Sequence, residues 1–181
     1  MNDRKALDLF VPGRLCLFGE HSDWAGAYRR MNADIQPGKT IVTGTNQGIY
    51  ARVEAHDKKL VYERVKPNGE RVGFESEMDE SKLLRVSREG GFWSYVAGVA
   101  YQALVHYHVE GIRIVNETTD LPIKKGLSSS AAVSVLTARA FNRIYSLNLT
   151  TRGEMDLAYR GEVTTPSRCG RMDQACAFGD T

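Results

Sequence analysis

The sequence predicts a single α+β domain, and three observations predict it. The part before about residue 77 carries short runs with strand-like alternation and a strong hairpin signal. The part after residue 92 shifts largely to helical periodicity. No repeat, low-complexity tract or Pro/Gly/Ser-rich linker divides the chain.

Leu7 to Phe18 reads as a strand interrupted by Pro12-Gly13. Residues 40–56 are rich in Thr, Ile, Val and Tyr, and Ile49, Ala51 and Val53 alternate with polar neighbours, the period of a half-buried strand. Two further strands are expected at Lys59 to Lys66 and Arg71 to Glu77, joined by Pro67-Asn68-Gly69; Asn-Gly favours a tight hairpin turn. Together these segments predict an antiparallel sheet. In Phe92 to His108 the period changes. Phe92, Val96, Val99, Ala100, Ala103, Leu104 and Tyr107 fall on one helical face. Gly111 to Thr118 returns to strand, with Ile112 and Ile114 on one side. Ser129 to Leu147 reads as a helix with Val133, Leu136, Ala140, Phe141 and Ile144 at helical spacing. A last helix is expected from Thr151, where Thr151 and Glu154 have capping-box spacing, to about Val163. No helix or strand is expected to close the chain at Phe178 to Thr181, the ending of a truncated product.

At 181 residues, 42% of them hydrophobic, the chain can bury a sizeable core. Twenty-four Lys and Arg face twenty-two Asp and Glu, and a net charge of +2 gives no electrostatic case for nucleic acid or an acidic membrane surface. No apolar run approaches the ~20 residues that span a bilayer. Met1 to Asp8 lacks the apolar core of a signal peptide. Cys16, Cys169 and Cys176 match no zinc or disulfide framework, and the four histidines form no ligand pattern with them. Reduced thiols in a cytoplasmic protein are the expectation.

Three segments carry candidate chemistry. In the first, Pro122 to Ala132, a strand precedes and a helix follows a loop containing Gly126, Leu127, Ser128, Ser129, Ser130 and Ala131. Backbone N–H groups at a helix N-terminus, with the helix dipole behind them, suit a phosphate. Serine hydroxyls can add hydrogen bonds or a magnesium ligand. Helix capping alone would need one serine, not three. A different stretch, Pro37-Gly38-Lys39-Thr40, ends like a P-loop, but Ala33 stands where the pattern requires glycine, so it is rejected. The second segment, Pro12 to Trp24, clusters Glu20, His21 and Asp23 past the end of a strand, with Gly19 marking a turn. Polar groups beside an aromatic suit a polyhydroxylated ligand, although composition alone favours a solvated loop. The third is Cys169 to Gln174. Asp173 beside a glycine-containing loop is an ordinary turn residue, while Glu162 lies eleven residues earlier on the preceding helix. One carboxylate could hold a metal while the other faces an acceptor hydroxyl.

Taken in order, these segments resemble the GHMP kinases, and the galactokinase branch in particular. That branch's P-G-R-V-N-L-I-G-E-H-T-D-Y stands here as P-G-R-L-C-L-F-G-E-H-S-D-W at residues 12–24, its G-L-S-S-S-A stands at 126–131, and its C-G-I-M-D-Q is Cys169 to Gln174. A weaker similarity to W-x-N-Y-V-x-G-V runs from Trp93 to Val99. The resemblance implies that residues 1–181 are the family's N-terminal substrate- and ATP-binding domain. It implies a ribosomal protein S5 domain 2-like fold with a mixed or antiparallel sheet and helices on one side. It implies a second, C-terminal domain that these residues do not include. The activity implied is ATP-dependent phosphorylation of a monosaccharide, with ATP and Mg²⁺ as cofactors and a sugar as substrate. Asp173 is implied to accept or orient the acceptor hydroxyl, with Arg14 as its charge partner. Gly126 to Ala131 would wrap the ATP phosphates, Ser130 and Glu162 would hold Mg²⁺, and Glu20, His21 and Asp23 would contact the sugar. The departures are Cys16 for Asn, Ser22 for Thr, Trp24 for Tyr, and the stretch from Ala25 to Asp34, where Arg29 and Arg30 either meet a charged acceptor or form a basic solvated loop. Two other readings fit the ancestry. A non-catalytic sugar sensor would have lost residues of the serine loop, and Ser130-Ala131 is intact. A mevalonate-type alcohol kinase would lack G-E-H-x-D.

Overall fold

The computed structural model describes residues 6–66, 68–121, 129–167 and 169–179. In chain order it contains β1 (Leu7–Phe18), α1 (Ser22–Ala25), a 3-10 segment (Gly26–Arg30), β2 (Ile41–His56), β3 (Lys59–Val65), β4 (Arg71–Glu77), α2 (Glu80–Glu89), α3 (Phe92–His106), β5 (Gly111–Thr119), α4 (Ser129–Ile144), α5 (Thr151–Thr164) and a final 3-10 helix (Asp173–Phe178).

The sheet order is β1-β2-β5-β3-β4. It is mixed rather than purely antiparallel: β5 pairs antiparallel with β2 and parallel with β3. A parallel pair needs a crossover connection. Here the chain leaves β4, runs through α2 and α3, and returns as β5 between β2 and β3. The pairing puts like with like. Val53 faces Leu7 and Ile114, Ile114 faces Tyr62, and Ile112 faces Leu60. All of these except Leu7 are fully buried, and each such side chain contributes about 1.5–3 kcal/mol relative to exposure. The residues between them point the other way and form a charged face. Arg113 bridges Glu54 and Glu63 at 3.1 and 2.9 Å, and Arg71 reaches Glu63 at 3.0 Å. The helices therefore cover one face: α4 lies on β1, β2 and β5, α3 touches β3, and α2 touches β4.

The elements differ from the periodicity in four places. The stretch 78–91, left unassigned by its pattern, forms α2. Its start is the Asp79 carboxylate, which accepts the Lys82 N–H at 3.0 Å, and Gly90 ends it at φ 80°. Only Leu83 and Ser87 are buried on it, which is why no apolar stripe announces it. The helix expected to reach Leu147 stops at Ile144, because Ser146 and Asn148 take left-handed backbone at φ 50° and 55°. The cap of α5 is Thr150, not Thr151; its hydroxyl accepts the Gly153 N–H at 3.2 Å. Glu154 is no capping-box partner. It turns inward to Arg139 and Asn142, at 2.9 and 2.7 Å, because a buried guanidinium outcompetes an exposed amide. Finally, Asp173–Phe178 is helical where no element was expected.

Candidate active site

The site assembles around the N-terminus of α4. Its first contributor is β1. Alternation from the buried Val11 would send residue 14 to the charged face, yet Arg14 is buried. The pairing of β1 with β2 shifts register between Pro12 and Arg14. Pro12 pairs with Gly48 but Arg14 pairs with Gly44, so three residues of β2 stand opposite Gly13 alone and the regular alternation of faces breaks there. Pro12-Gly13 is thus the device that turns Arg14 toward the helices, where its guanidinium forms an ion pair with the Asp173 carboxylate across 159 positions of sequence. Asp173 keeps 30% side-chain exposure, so a ligand can reach the carboxylate while Arg14 stays covered.

The second contributor is the turn after β1. Gly19 sits at φ 80°, and a Cβ there would lie 2.0 Å from the Lys39 carbonyl. His21 also takes positive φ, 66°. The Ser22 hydroxyl donates to the carbonyls of Gly19 and Lys39, at 2.6 and 2.9 Å. Gly38 packs flush against the Ser22 carbonyl, where a Cβ would stand 1.7 Å away. The P-loop-like Pro37-Gly38-Lys39 therefore seats this turn. Asp23 follows, and its Oδ2 accepts the Met172 N–H at 3.0 Å. Gly170 fits against the same carboxylate, since a Cβ there would be 1.8 Å from Oδ2. Asp23 thereby ties the first motif to the loop that presents Asp173. Glu20 and His21 are exposed in the turn. A cavity of about 500 Å³ beside it is lined by Ser22, Ala25 and residues 35–39.

The third contributor is the pair of helices α4 and α5. Glu162, in the last turn of α5, is 1% exposed. It accepts hydrogen bonds from the Ser130 hydroxyl in the first turn of α4 and from Gln174 Nε2 at 2.7 Å, with the Cys169 thiol beside it. Burial raises the Glu162 carboxyl above the ordinary carboxylate range, and the charge of nearby Asp173 pushes the same way. Burial, then Glu162, pushes the Cys169 thiol up to about 12. The structure thus places Arg14 with Asp173, Ser130 with Glu162, and Asp23 with the Asp173 loop. Gly126, Leu127 and Ser128 lie outside the described residues.

Residues 94–180 match the model of the GHMP kinases N terminal domain. This chain contains a GHMP kinase N-terminal domain. It is similar to the galactokinase of Pyrococcus furiosus, 32% identical over 177 residues, and to that of Thermotoga petrophila, 28% identical over 176 residues. Each alignment covers 93% of this chain and 43% of the relative. The chain therefore spans less than half the length of the curated relatives it matches. Among solved structures its fold is shared with Lactococcus lactis galactokinase complexed with galactose, at a TM-score of 0.74, 24% identity, and coverage of 97% of this chain and 42% of that one. It is also shared with Methanococcus jannaschii mevalonate kinase, at a TM-score of 0.69, 17% identity, and coverage of 96% and 51%.

The GHMP kinase domain has residues whose contacts local pattern does not reveal. Arg139 spends every arm: Nε on Glu154, Nη1 on the Phe10 carbonyl at 3.0 Å and Nη2 on the Ala177 carbonyl at 2.6 Å. It clamps α4, β1 and the Asp173-bearing 3-10 helix together. The available signal was a lone arginine inside the apolar and small run Ala131 to Phe141. For Gln174 the signal was its place beside Asp173 in the segment that resembles C-G-I-M-D-Q. For a divalent cation, the donor set of the domain fits magnesium. A hydroxyl and a carboxylate are hard oxygen donors, and Mg²⁺ is ordinarily held by one or two carboxylates together with phosphate oxygens and water. Among the described residues no group of three or more His, Cys, Asp or Glu is placed to hold a metal by itself. No helix among these residues is long and apolar enough to cross a membrane.

Proposed function

We propose that this protein phosphorylates a hydroxyl of a monosaccharide with ATP, and that the described residues supply the acceptor side and the phosphate side of that reaction. The observation that carries the reading is the convergence, at the N-terminus of α4, of the Arg14–Asp173 ion pair and the Ser130–Glu162 hydrogen bond. The similarity to galactokinases over 93% of the chain supports a sugar as the acceptor.

Phosphoryl transfer is chiefly positioning and charge stabilisation. In this reading Asp173 accepts a hydrogen bond from the acceptor hydroxyl at its exposed carboxylate oxygens and takes or orients its proton. Arg14 holds that carboxylate in place through the ion pair, and its own charge would lie close to the transferring group. Ser130 and Glu162 would hold Mg²⁺, which when bound with ATP offsets negative charge on the phosphate oxygens. Backbone N–H groups of the Gly126 to Ala131 segment, at the positive end of α4, would receive the phosphates. Glu20, His21 and Asp23 would hydrogen-bond sugar hydroxyls, with Asp23 using the oxygen that does not hold the Met172 N–H. The family's C-terminal domain would complete the site.

The test is a screen of free sugars with Mg²⁺ and ATP on the full-length protein, read by mass spectrometry of the phosphorylated product. At least one sugar should be turned over, and Asp173→Asn should fold normally and lower turnover by about 10²–10⁴. Undiminished turnover by that variant would remove Asp173 from its role. Absence of product with every sugar, alongside phosphorylation of mevalonate, would move the reading to a non-sugar alcohol.

A further inference from the structure

Gln174 has no part in the roles assigned above, yet it is wholly buried. Its Nε2 donates to Glu162 Oε2 at 2.7 Å and lies 3.7 Å from Cys169 Sγ. Its Oε1 is buried as well and accepts no hydrogen bond among the described residues. An unpaired buried carbonyl oxygen costs on the order of 1–3 kcal/mol. An apolar side chain would carry no such penalty at this place in the core.

Two features make sense of the arrangement. Glu162 reaches the site from the last turn of α5, and a carboxylate there is free to rotate about its terminal bond. A hydrogen bond from Gln174 to one oxygen removes that freedom, while Ser130 engages the carboxylate from α4. The bare Oε1, in turn, is an acceptor suited to a donor that comes with the ligand, and the waters of a hydrated magnesium ion are strong donors. Asp173 and Gln174 are adjacent in one 3-10 helix. The residue that would meet the acceptor hydroxyl and the residue that grips the phosphate-side carboxylate thus move as one unit.

We infer that Gln174 is a positioning residue that orients the Glu162 carboxylate and so sets the preference of the site for metal-bound over metal-free nucleotide. The inference rests on the reading of Ser130 and Glu162 as the metal-holding pair. Outer partners of metal ligands typically change metal affinity by about 10–100-fold when removed.

The test compares wild type, Glu162→Gln, Gln174→Leu and Gln174→Asn in the full-length protein. Affinity for Mn²⁺·ATP is read by electron paramagnetic resonance of the free ion. Affinity for ATP in chelator is read by displacement of a fluorescent nucleotide, and thermal unfolding without ligand checks the fold. Gln174→Leu should fold but melt below wild type, because the buried Glu162 loses one hydrogen bond, and it should keep its affinity for metal-free ATP while losing about 10–100-fold for Mn²⁺·ATP. Gln174→Asn, one methylene short of Glu162, should show the same split and serves if the leucine variant does not fold. Normal Mn²⁺·ATP binding by both Gln174 variants, with loss in Glu162→Gln, overturns the role of Gln174 and leaves the metal pair standing. Equal weakening with and without metal reduces Gln174 to a packing residue and overturns it too. Wild-type binding indifferent to metal, or unaffected by Glu162→Gln, overturns the metal pair and this inference together.

Discussion

Asp23 has a structural duty and, in the proposed function, a second one in sugar recognition, and substitutions can separate them. Oδ2 accepts the Met172 N–H, while sugar recognition would need the other oxygen. Asp23→Asn keeps one carbonyl acceptor for that N–H, so it should retain near-wild-type thermal stability. Its sugar KM should rise, because an amide cannot accept at both positions. Asp23→Ala should do both kinds of damage, losing stability by about 1–3 kcal/mol as the Met172 N–H is left unpaired. Deoxy-sugar kinetics beside thermal melts measure the two effects; a KM unchanged in both variants would leave Asp23 with the structural duty alone. The thiols provide a second check at this scale. Burial pushes Cys169 and Cys176 up to about 12, so at pH 8 almost none of either is thiolate, the reactive form. Cys16 is partly exposed on β1. N-ethylmaleimide should therefore label Cys16 first, and mass spectrometry of the digested protein would show the order.

Two glycines decide how closely α3 and α5 approach. A Cβ on Gly98 would stand 2.3 Å from the Gly161 carbonyl, and one on Gly161 would stand 2.4 Å from Val99 Cγ2. A shift of α5 to relieve such a clash would carry Glu162, the next residue along it. Gly161→Ala should cost about 1–3 kcal/mol through overpacking. It should also weaken Mg²⁺·ATP binding without touching a ligand-contacting group, as read by urea unfolding and nucleotide titration. The clamp made by Arg139 works between elements in the same way. Its partner Glu154 is 4% exposed at the side chain, so Arg139→Met would strand a buried carboxylate and should cost about 3–5 kcal/mol. Arg139→Lys should rescue little, because one ammonium cannot reach three acceptors on three elements. A melt of Arg139→Lys indistinguishable from wild type would show that the clamp is dispensable.

At the scale of the whole molecule, the apolar core of the described residues lies between sheet and helices, while a cluster of apolar side chains is exposed at one end of the β1–β2 pair. There Leu15, Leu17, Phe18 and Ile41 are 45–70% exposed, with Phe18 and Ile41 paired across the strands. Phe178, also exposed, belongs to the 3-10 helix that packs on β1. Clustered apolar surface of this kind promotes association. The 181-residue chain should therefore self-associate as its concentration rises, and Leu17→Lys with Phe18→Lys should reduce this in sedimentation velocity. A wild-type chain that stays monomeric at high concentration would argue that the cluster is too small to matter.

Period and punctuation in the sequence were enough to determine the α+β class, the order and type of most elements, and the hairpin around Asn68-Gly69, because those depend on neighbours a few positions away. They were also enough to mark the segments that resemble the GHMP kinases. What they could not determine depends on distant parts of the chain. The parallel pairing of β5 with β3 follows from where the α2–α3 crossover returns, and α2 is a short helix on which only Leu83 and Ser87 are buried. Arg14 faces the helices only because the β1–β2 register slips at Pro12-Gly13. Its partner Asp173, the seat of Asp23 against Gly170 and Met172, and the grip of Gln174 on Glu162 exist only once β1, α4, α5 and the last 3-10 helix are packed. Local sequence sets local backbone preference; which polar groups meet is settled by burial, where each must find a partner that folding brings within about 3 Å.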